Sequence, residues 1–376
     1  MRTGTQVVIT AAILVVLVVG VYAAAVLIPG SSTPSSSTTA STCTSSTSAT
    51  APSTSSSSNS IGVVNIGYFA NINHAPAIIG ISSGAFQKAL GPSTTIVPFL
   101  FPSGGPEMTA LLAGKLDMAY VGPSPAVNAF IQSNEGGLVI LAGVSSGGAV
   151  FVVQNKSGIT SAKDLGGKTF AAPGLGNTQD VALRYYLMEN GFKTTDKGGN
   201  VTIDDTTNAN IVTLFAEGKI AGAWVPEPYG EVLIQQYGGK LFLDERTLWT
   251  GGDFSTTELV VRTPFLQQHS DVVTDIVSAD VAETLFINRC PSLAETDLNS
   301  SIAALTGGQG YTPSILSSSL GRLSFTYNPL EDSVAVQAEH AYALGDLTQN
   351  PSNLTALYDL TILNKVLAAD GLAPVQ

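Results

Sequence analysis

LAGKLDMAYVGP, residues 112–123, compresses a helix end, a glycine turn, an apolar strand and a second glycine turn into one short run. Upstream of it, 61–68 reads as a strand, 74–90 as a helix, 94–101 as a strand and 107–113 as a helix. Within it, 116–121 is the strand; downstream follow a helix over 125–132 and a strand over 138–144. Strands alternating with helices predict a mainly parallel sheet flanked by helices. Such sheets take ligands at the carboxyl ends of their strands. A second α/β stretch follows, with strands over 150–154, 168–172, 201–204, 220–224 and 240–243 and helices over 179–190, 208–216 and 228–237. A strand over 256–261 precedes a largely helical tail, 263–373. Two α/β lobes joined by extended crossings at 149–154 and 255–261 imply a clam-like protein whose cleft closes by hinge bending.

The composition is that of a globular protein with few surface charges. Apolar residues make up 44% and charged residues 12% of 376. Asp and Glu outnumber Lys and Arg by 28 to 16, and no basic stripe is present, so nucleic acid is not an expected partner. The two cysteines offer neither metal spacing nor a disulfide framework. Cys43 lies in a Ser/Thr tract, and Cys290, in a helical region, reads as a single buried thiol. His74, His269 and His340 are far apart, so no metal or cofactor is expected.

Residues 7–29 are almost purely apolar, long enough to span a hydrocarbon core. Arg2 and the amino terminus carry the positive charge before this run, and the next Lys or Arg is Lys88. That asymmetry puts the N-terminus in the cytoplasm and the rest on the extracytoplasmic face. A cleaved signal, with Ala23 to Ala25 as the cleavage region, would instead give a secreted or periplasmic protein. The length of the run favours an uncleaved anchor. Residues 31–60, nearly all Ser, Thr, Pro and Ala, cannot bury enough apolar surface to fold and read as a stalk. The expected layout is an anchor or signal at 1–30, the stalk at 31–60, the first part of lobe 1 at 61–149, lobe 2 at 150–254, and a return to lobe 1 with the helical tail at 255–376.

Several segments, taken in order, resemble the solute-binding proteins for sulfonates, nitrate and taurine. They are Ile66-Gly67-Tyr68; Phe101 to Glu107; Leu112 to Pro123; Ser161 to Lys168; Ala172 to Gln179; and Phe215 to Pro228. The resemblance covers about 61–270 and implies a type II periplasmic-binding fold. It also implies a monomeric extracytoplasmic component of an ABC importer, with permease and ATPase subunits as partners and a small anion as ligand. An aliphatic sulfonate is the first choice; nitrate, bicarbonate and a pyrimidine precursor remain open.

The residues themselves agree. Each segment sets a Gly- or Ser-rich turn between a strand end and a helix start, where free N–H groups and the helix dipole attract anions. Candidate contacts are Ser103, Gly104 and Gly105; Pro123 and Ser124; Gly176, Asn177 and Thr178; with hydroxyls of Ser145 and Ser146. Ordinary helix capping would select the same residue types. Asn71, Asn73 and His74 follow the first strand, where the family places ligand contacts. Trp224 ends a lobe-2 strand and either stacks on the ligand or packs between lobes. Glu227 meets a ligand amine or the transporter, or simply suits a helix first turn. Thr256 and Thr257 touch ligand or tie the hinge. The scarcity of Arg near these turns leaves room for a neutral heterocycle.

Enzyme-like patterns are weak. Gly80 to Gly84 and Gly143 to Gly147 match G-x-S-x-G without the strand-to-helix turn of a nucleophile elbow. Gly166-Gly167-Lys168-Thr169 precedes a strand where a nucleotide loop precedes a helix. Rival classes are a pyrimidine-precursor synthase-like enzyme, whose cysteine-rich segment this chain lacks, and a cell-surface adhesion protein, which the stalk would suit.

Overall fold

The computed structural model describes Cys43, residues 61–308 and residues 310–376. The apolar run 7–29 and the remainder of the stalk lie outside the described residues. Among the described residues, no helix is long and apolar enough to cross a membrane. Chain contacts divide the protein into Met1–Thr44 and Ser45–Gln376, and the fold described below belongs to the second unit.

Two sheets organise that unit. The chain lays down β1 (Val63–Tyr68), β2 (Thr95–Leu100), β3 (Met118–Val121) and β4 (Leu138–Gly147). It then builds β5 (Ala149–Val153), β6 (Thr169–Pro173), β7 (Thr202–Thr206), β8 (Gly222–Pro226) and β9 (Lys240–Asp244), and finally β10 (Ser255–Arg262) and β11 (Leu323–Phe325). The strand orders are β11-β4-β10-β3-β1-β2 and β7-β6-β8-β5-β9. We refer to these sheets, with their helices, as lobe 1 and lobe 2.

The two sheets share one plan. In lobe 1, β2-β1-β3 pair parallel and β10 runs against them. In lobe 2, β7-β6-β8 pair parallel and β5 runs against them. β5 and β10 are each the first strand laid down after the chain changes sheets. β4 and β9 then flank the reversed strands antiparallel, recovering the common direction.

Burial follows the pleat. On β5, Phe151 and Val153 pack with Phe170, Leu187 and Trp224, while Val150 and Val152 pack with Ile211, Phe215 and Leu233 on the other face. On β10, Leu259 and Val261 enter one core and Val260 the other. Such strands, covered by helices on both faces, read as unbroken apolar runs. Each of these side chains contributes about 1.5–3 kcal/mol by burial.

Both crossings differ from expectation. Residues 149–154 and 255–261, expected to bridge the lobes, form β5 and β10, each paired on both sides within its own sheet. The first bridge is Gly147-Gly148, with φ of 77° and 71°. A Cβ on Gly147 would lie 2.5 Å from the Arg322 carbonyl oxygen, and one on Gly148 2.5 Å from the Leu323 side chain. Left-handed backbone and close approach both demand glycine there. The helix expected over 74–90 is two, Ala75–Ser82 and Ala85–Leu90, broken at Gly84 with φ of 77°. The tail is helical from Thr263 onward but contributes β11 to the edge of lobe 1. Neither cysteine is free: Cys43 and Cys290 are both disulfide-bonded, which corrects the reading of Cys290 as a lone thiol.

Candidate functional site

The carboxyl ends of three strands from each lobe meet around one small cavity. From lobe 1 come Phe69, Asn71, Asn73 and His74 after β1, Pro102 after β2, and Gly122 and Pro125 after β3. Lobe 2 supplies Pro173 at the end of β6, Asn177 to Gln179 at the next helix start, Asn208 after β7 and Pro226 at the end of β8. Thr256 and Thr257 of β10 complete the wall. The cavity measures about 30 Å³, against the ~10–15 Å³ that one water requires, so the lobes are nearly shut on it.

Direct contacts hold them shut. The Gly104 N–H, at the start of the helix Gly104–Leu112, donates to Asn177 Oδ1 across the cleft at 3.1 Å. Thr178 inserts toward Gly122, where a Cβ would come within 2.5 Å of its hydroxyl oxygen. Tyr185 of lobe 2 stacks on His340 of lobe 1, ring centroids 3.5 Å apart.

The wall is polar but carries no Lys, Arg, Asp or Glu. Four of its polar atoms are buried without a protein partner: Asn73 Oδ1, Thr178 Oγ1, Asn208 Oδ1 and Thr257 Oγ1. Each orphan of this kind costs about 1–3 kcal/mol. Asn73 Nδ2 donates to Thr256 Oγ1 and to the Gly147 carbonyl, which fixes its Oδ1 as the acceptor left over. His74 is buried, and desolvation pulls its pKa down to about 3. Its Nδ1 accepts the Phe69 N–H, so the neutral ring carries its proton on Nε2.

The first charges that follow Gln179 on its helix are spent elsewhere. Asp180 Oδ2 accepts the Gly176 N–H, and Asp180 pairs with Arg184, which also binds Asp205 at 2.8 Å. Burial, partly offset by Arg184, raises the Asp180 pKa to about 7.

Of the residues singled out from sequence, Asn71, Asn73, His74, Asn177, Thr178, Thr256 and Thr257 lie on the wall. Gly104 sits beside it through its bond to Asn177, and Ser124 Oγ is buried without a partner in the first turn after Gly122. Ser103 and Pro123 flank those turns without lining the cavity; Gly105 is exposed, and Gly176 is turned to Asp180.

Four others lie away from it. Trp224 is fully buried in the lobe-2 core, stacked on Phe151 and donating to Glu245 at 2.7 Å. Glu227 accepts from Arg322 and from Ser319 in a buried interlobe ion cluster that includes Glu231. Ser145 bonds Thr256, and Ser146 Oγ accepts the Phe254 N–H, so both serve the crossing strands. Sequence reading missed Asn208, Gln179 and Pro226; Asn208 carried a usable signal, since it opens a helix directly after a strand.

A family match now joins this geometry. The NMT1-like family pattern matches residues 61–296. The chain belongs to the NMT1-like family. Among similar proteins, this NMT1-like chain is 27% identical over 203 residues to an aliphatic sulfonates-binding protein of Bacillus subtilis strain 168, covering 53% of this chain and 58% of that one. The chain thus spans little more than half the length of that relative. The fold matches the alkanesulfonate-binding protein SsuA of Xanthomonas axonopodis pv. citri bound to MOPS, with TM-score 0.64 and 18% identity, over 78% of this chain and 96% of that chain. It also matches the periplasmic nitrate-binding protein NrtA of Synechocystis PCC 6803, with TM-score 0.69 and 15% identity, over 82% and 89%. The NMT1-like chain therefore has the two-lobed periplasmic-binding fold.

Proposed function

We propose that this protein is the extracytoplasmic solute-binding component of an ABC importer. It captures a small polar ligand between its lobes and hands it to a permease. One observation carries the reading: six strand ends converge on a closed cavity with four orphaned polar atoms and no charged side chain. The binding-protein names of its relatives support capture rather than catalysis. Two disulfide-bonded cysteines suit an oxidising, extracytoplasmic compartment.

The ligand's head is held by dipoles and hydroxyls. In the closed protein the Asn177 amide oxygen sits on the Gly104 N–H, at a helix N-terminus. When the lobes part, that N–H is free for a ligand oxygen, as are the Thr178 and Thr257 hydroxyls. A small oxyanion, sulfonate or nitrate in type, fits these donors. A second reading, a neutral heterocycle bearing an N–H, is favoured by Asn73 Oδ1, which accepts only.

A thermal-shift panel on the purified full-length chain tests the proposal, because a ligand of the native state raises Tm with concentration. Alkanesulfonates, nitrate and bicarbonate form one arm and pyrimidines the other. A shift in the first arm supports the oxyanion reading, and a shift confined to pyrimidines supports the second. Silence in both arms, at millimolar concentrations, would sink the proposed ligand class.

A further inference from the structure

A second and larger cavity adjoins the first. It measures about 350 Å³, far more than close-packed interiors leave between elements. Thr178 lines both cavities, so the two are neighbours across one side chain. Its walls come from both lobes: the helix Thr178–Glu189 and the Glu245–Trp249 segment of lobe 2, and the helix Glu331–Leu344 of lobe 1.

The chemistry of this cavity is unlike that of the first. Tyr185, Tyr186, Trp249 and His340 give it aromatic walls. Trp249 stands 6.0 Å from His340, itself stacked on Tyr185. The titratable groups on the wall are Glu189, Glu245, the two tyrosines and His340; no Lys or Arg lines it. Burial holds His340 down to about 4, so that ring is neutral at physiological pH. Glu245 is 2% exposed, and burial raises it to about 7, against the opposing bond from Trp224. The fields of Glu189 and Glu339 add to burial in raising the Tyr185 hydroxyl. Gln337, 4% exposed, donates to the Ser255 carbonyl and leaves Oε1 without a partner. Aromatic walls, the Gln337 acceptor without a partner and the absence of a basic residue complement one kind of guest, an organic cation whose charge favours the ionised form of the partly protonated Glu245.

We infer that this cavity is a binding subsite for an organic cation of quaternary- or aromatic-ammonium type. The guest bridges lobe 2 to the lobe-1 tail, so its affinity is greatest in the closed protein, and it biases the lobes toward closure. This goes beyond the head-group reading and does not depend on it.

Choline and its neutral isostere dimethylbutanol are the probes, titrated calorimetrically into the full-length chain, with the fluorescence of its two tryptophans followed in parallel. Choline is expected to saturate, and the isostere to bind at least about tenfold more weakly, the margin a desolvated cation–π contact supplies. Glu245→Gln keeps an acceptor for the Trp224 N–H and is expected to weaken choline by a similar factor. Trp249→Leu weakens it several-fold, and Lys365→Ala, exposed and lining neither cavity, leaves it unchanged. Equal binding of the isostere, no choline binding to the native chain, or an undiminished response in both Glu245→Gln and Trp249→Leu would overturn the inference. Choline binding without any oxyanion response would instead count against the head-group reading alone.

Discussion

At the scale of single residues, position along a strand decided which candidates reach the cavity. The sequence ends one lobe-2 strand at Trp224 and one lobe-1 strand at Val144, but β8 runs on to Pro226 and β4 to Gly147. Two or three added residues pull Trp224, Ser145 and Ser146 back from the cleft into paired strand. Asn73, His74 and Thr178 lie beyond strand ends on either reading and were legible. Thr257 shows what an orphaned group predicts. Its hydroxyl is buried and unpartnered, so Thr257→Val, which keeps the shape, is expected to leave the free protein as stable or about 1 kcal/mol more so. The same change is expected to weaken the ligand identified by the thermal-shift panel about tenfold. Chemical denaturation and titration of the one variant check both, and an unweakened ligand would remove Thr257 from the site.

At the scale of elements, the strand–helix alternation was legible because buried strands are apolar runs and Gly-, Ser- and Pro-containing turns set them off from the helices. What could not be read was pairing. Nothing in Ala149–Val153 distinguishes a bridge from an inner strand, since both are apolar and extended. β11 escaped because three residues show no alternation. The bridge lies in the glycines, and Gly148→Ala tests it. A side chain at φ of 71°, 2.5 Å from Leu323, is expected to cost about 2 kcal/mol or more. That lowers Tm by about 3 °C or more, at ~1.5 °C per kcal/mol for a folded part of this size. A calorimetric scan matching the parent would show that the crossing tolerates a Cβ.

At the scale of the whole molecule, buried acids set the pH response. Burial raises Asp280 from 3.8 to about 7, with the Tyr120 hydroxyl opposing and Glu283 assisting. Burial likewise raises Glu107 and Glu258 well above the usual range, each with at least one carboxyl oxygen unpartnered. These acids keep their protons when folded and lose them when unfolded. Their stabilising share is therefore full below about pH 4 and falls as pH rises toward the folded value. For Asp280 that window runs from about 4 to about 7, and the loss across it is on the order of a few kcal/mol. Tm is expected to be higher at pH 5 than at pH 8. Asp280→Asn is expected to narrow that gap by raising Tm at pH 8 while leaving the value at pH 4 unchanged. A gap of unchanged width would mean that Asp280 is ionised in the fold.

The strand order also fixes a schedule. Lobe 2 draws all five of its strands from one continuous stretch, 149–244, whereas β10, between β3 and β4 of lobe 1, comes only after that stretch is complete. A chain emerging amino end first can finish lobe 2 while lobe 1 is still two unjoined edges. The first-synthesised lobe is thus the last to be completed, and its half-built sheet must be kept from stray partners until residues 255–262 arrive.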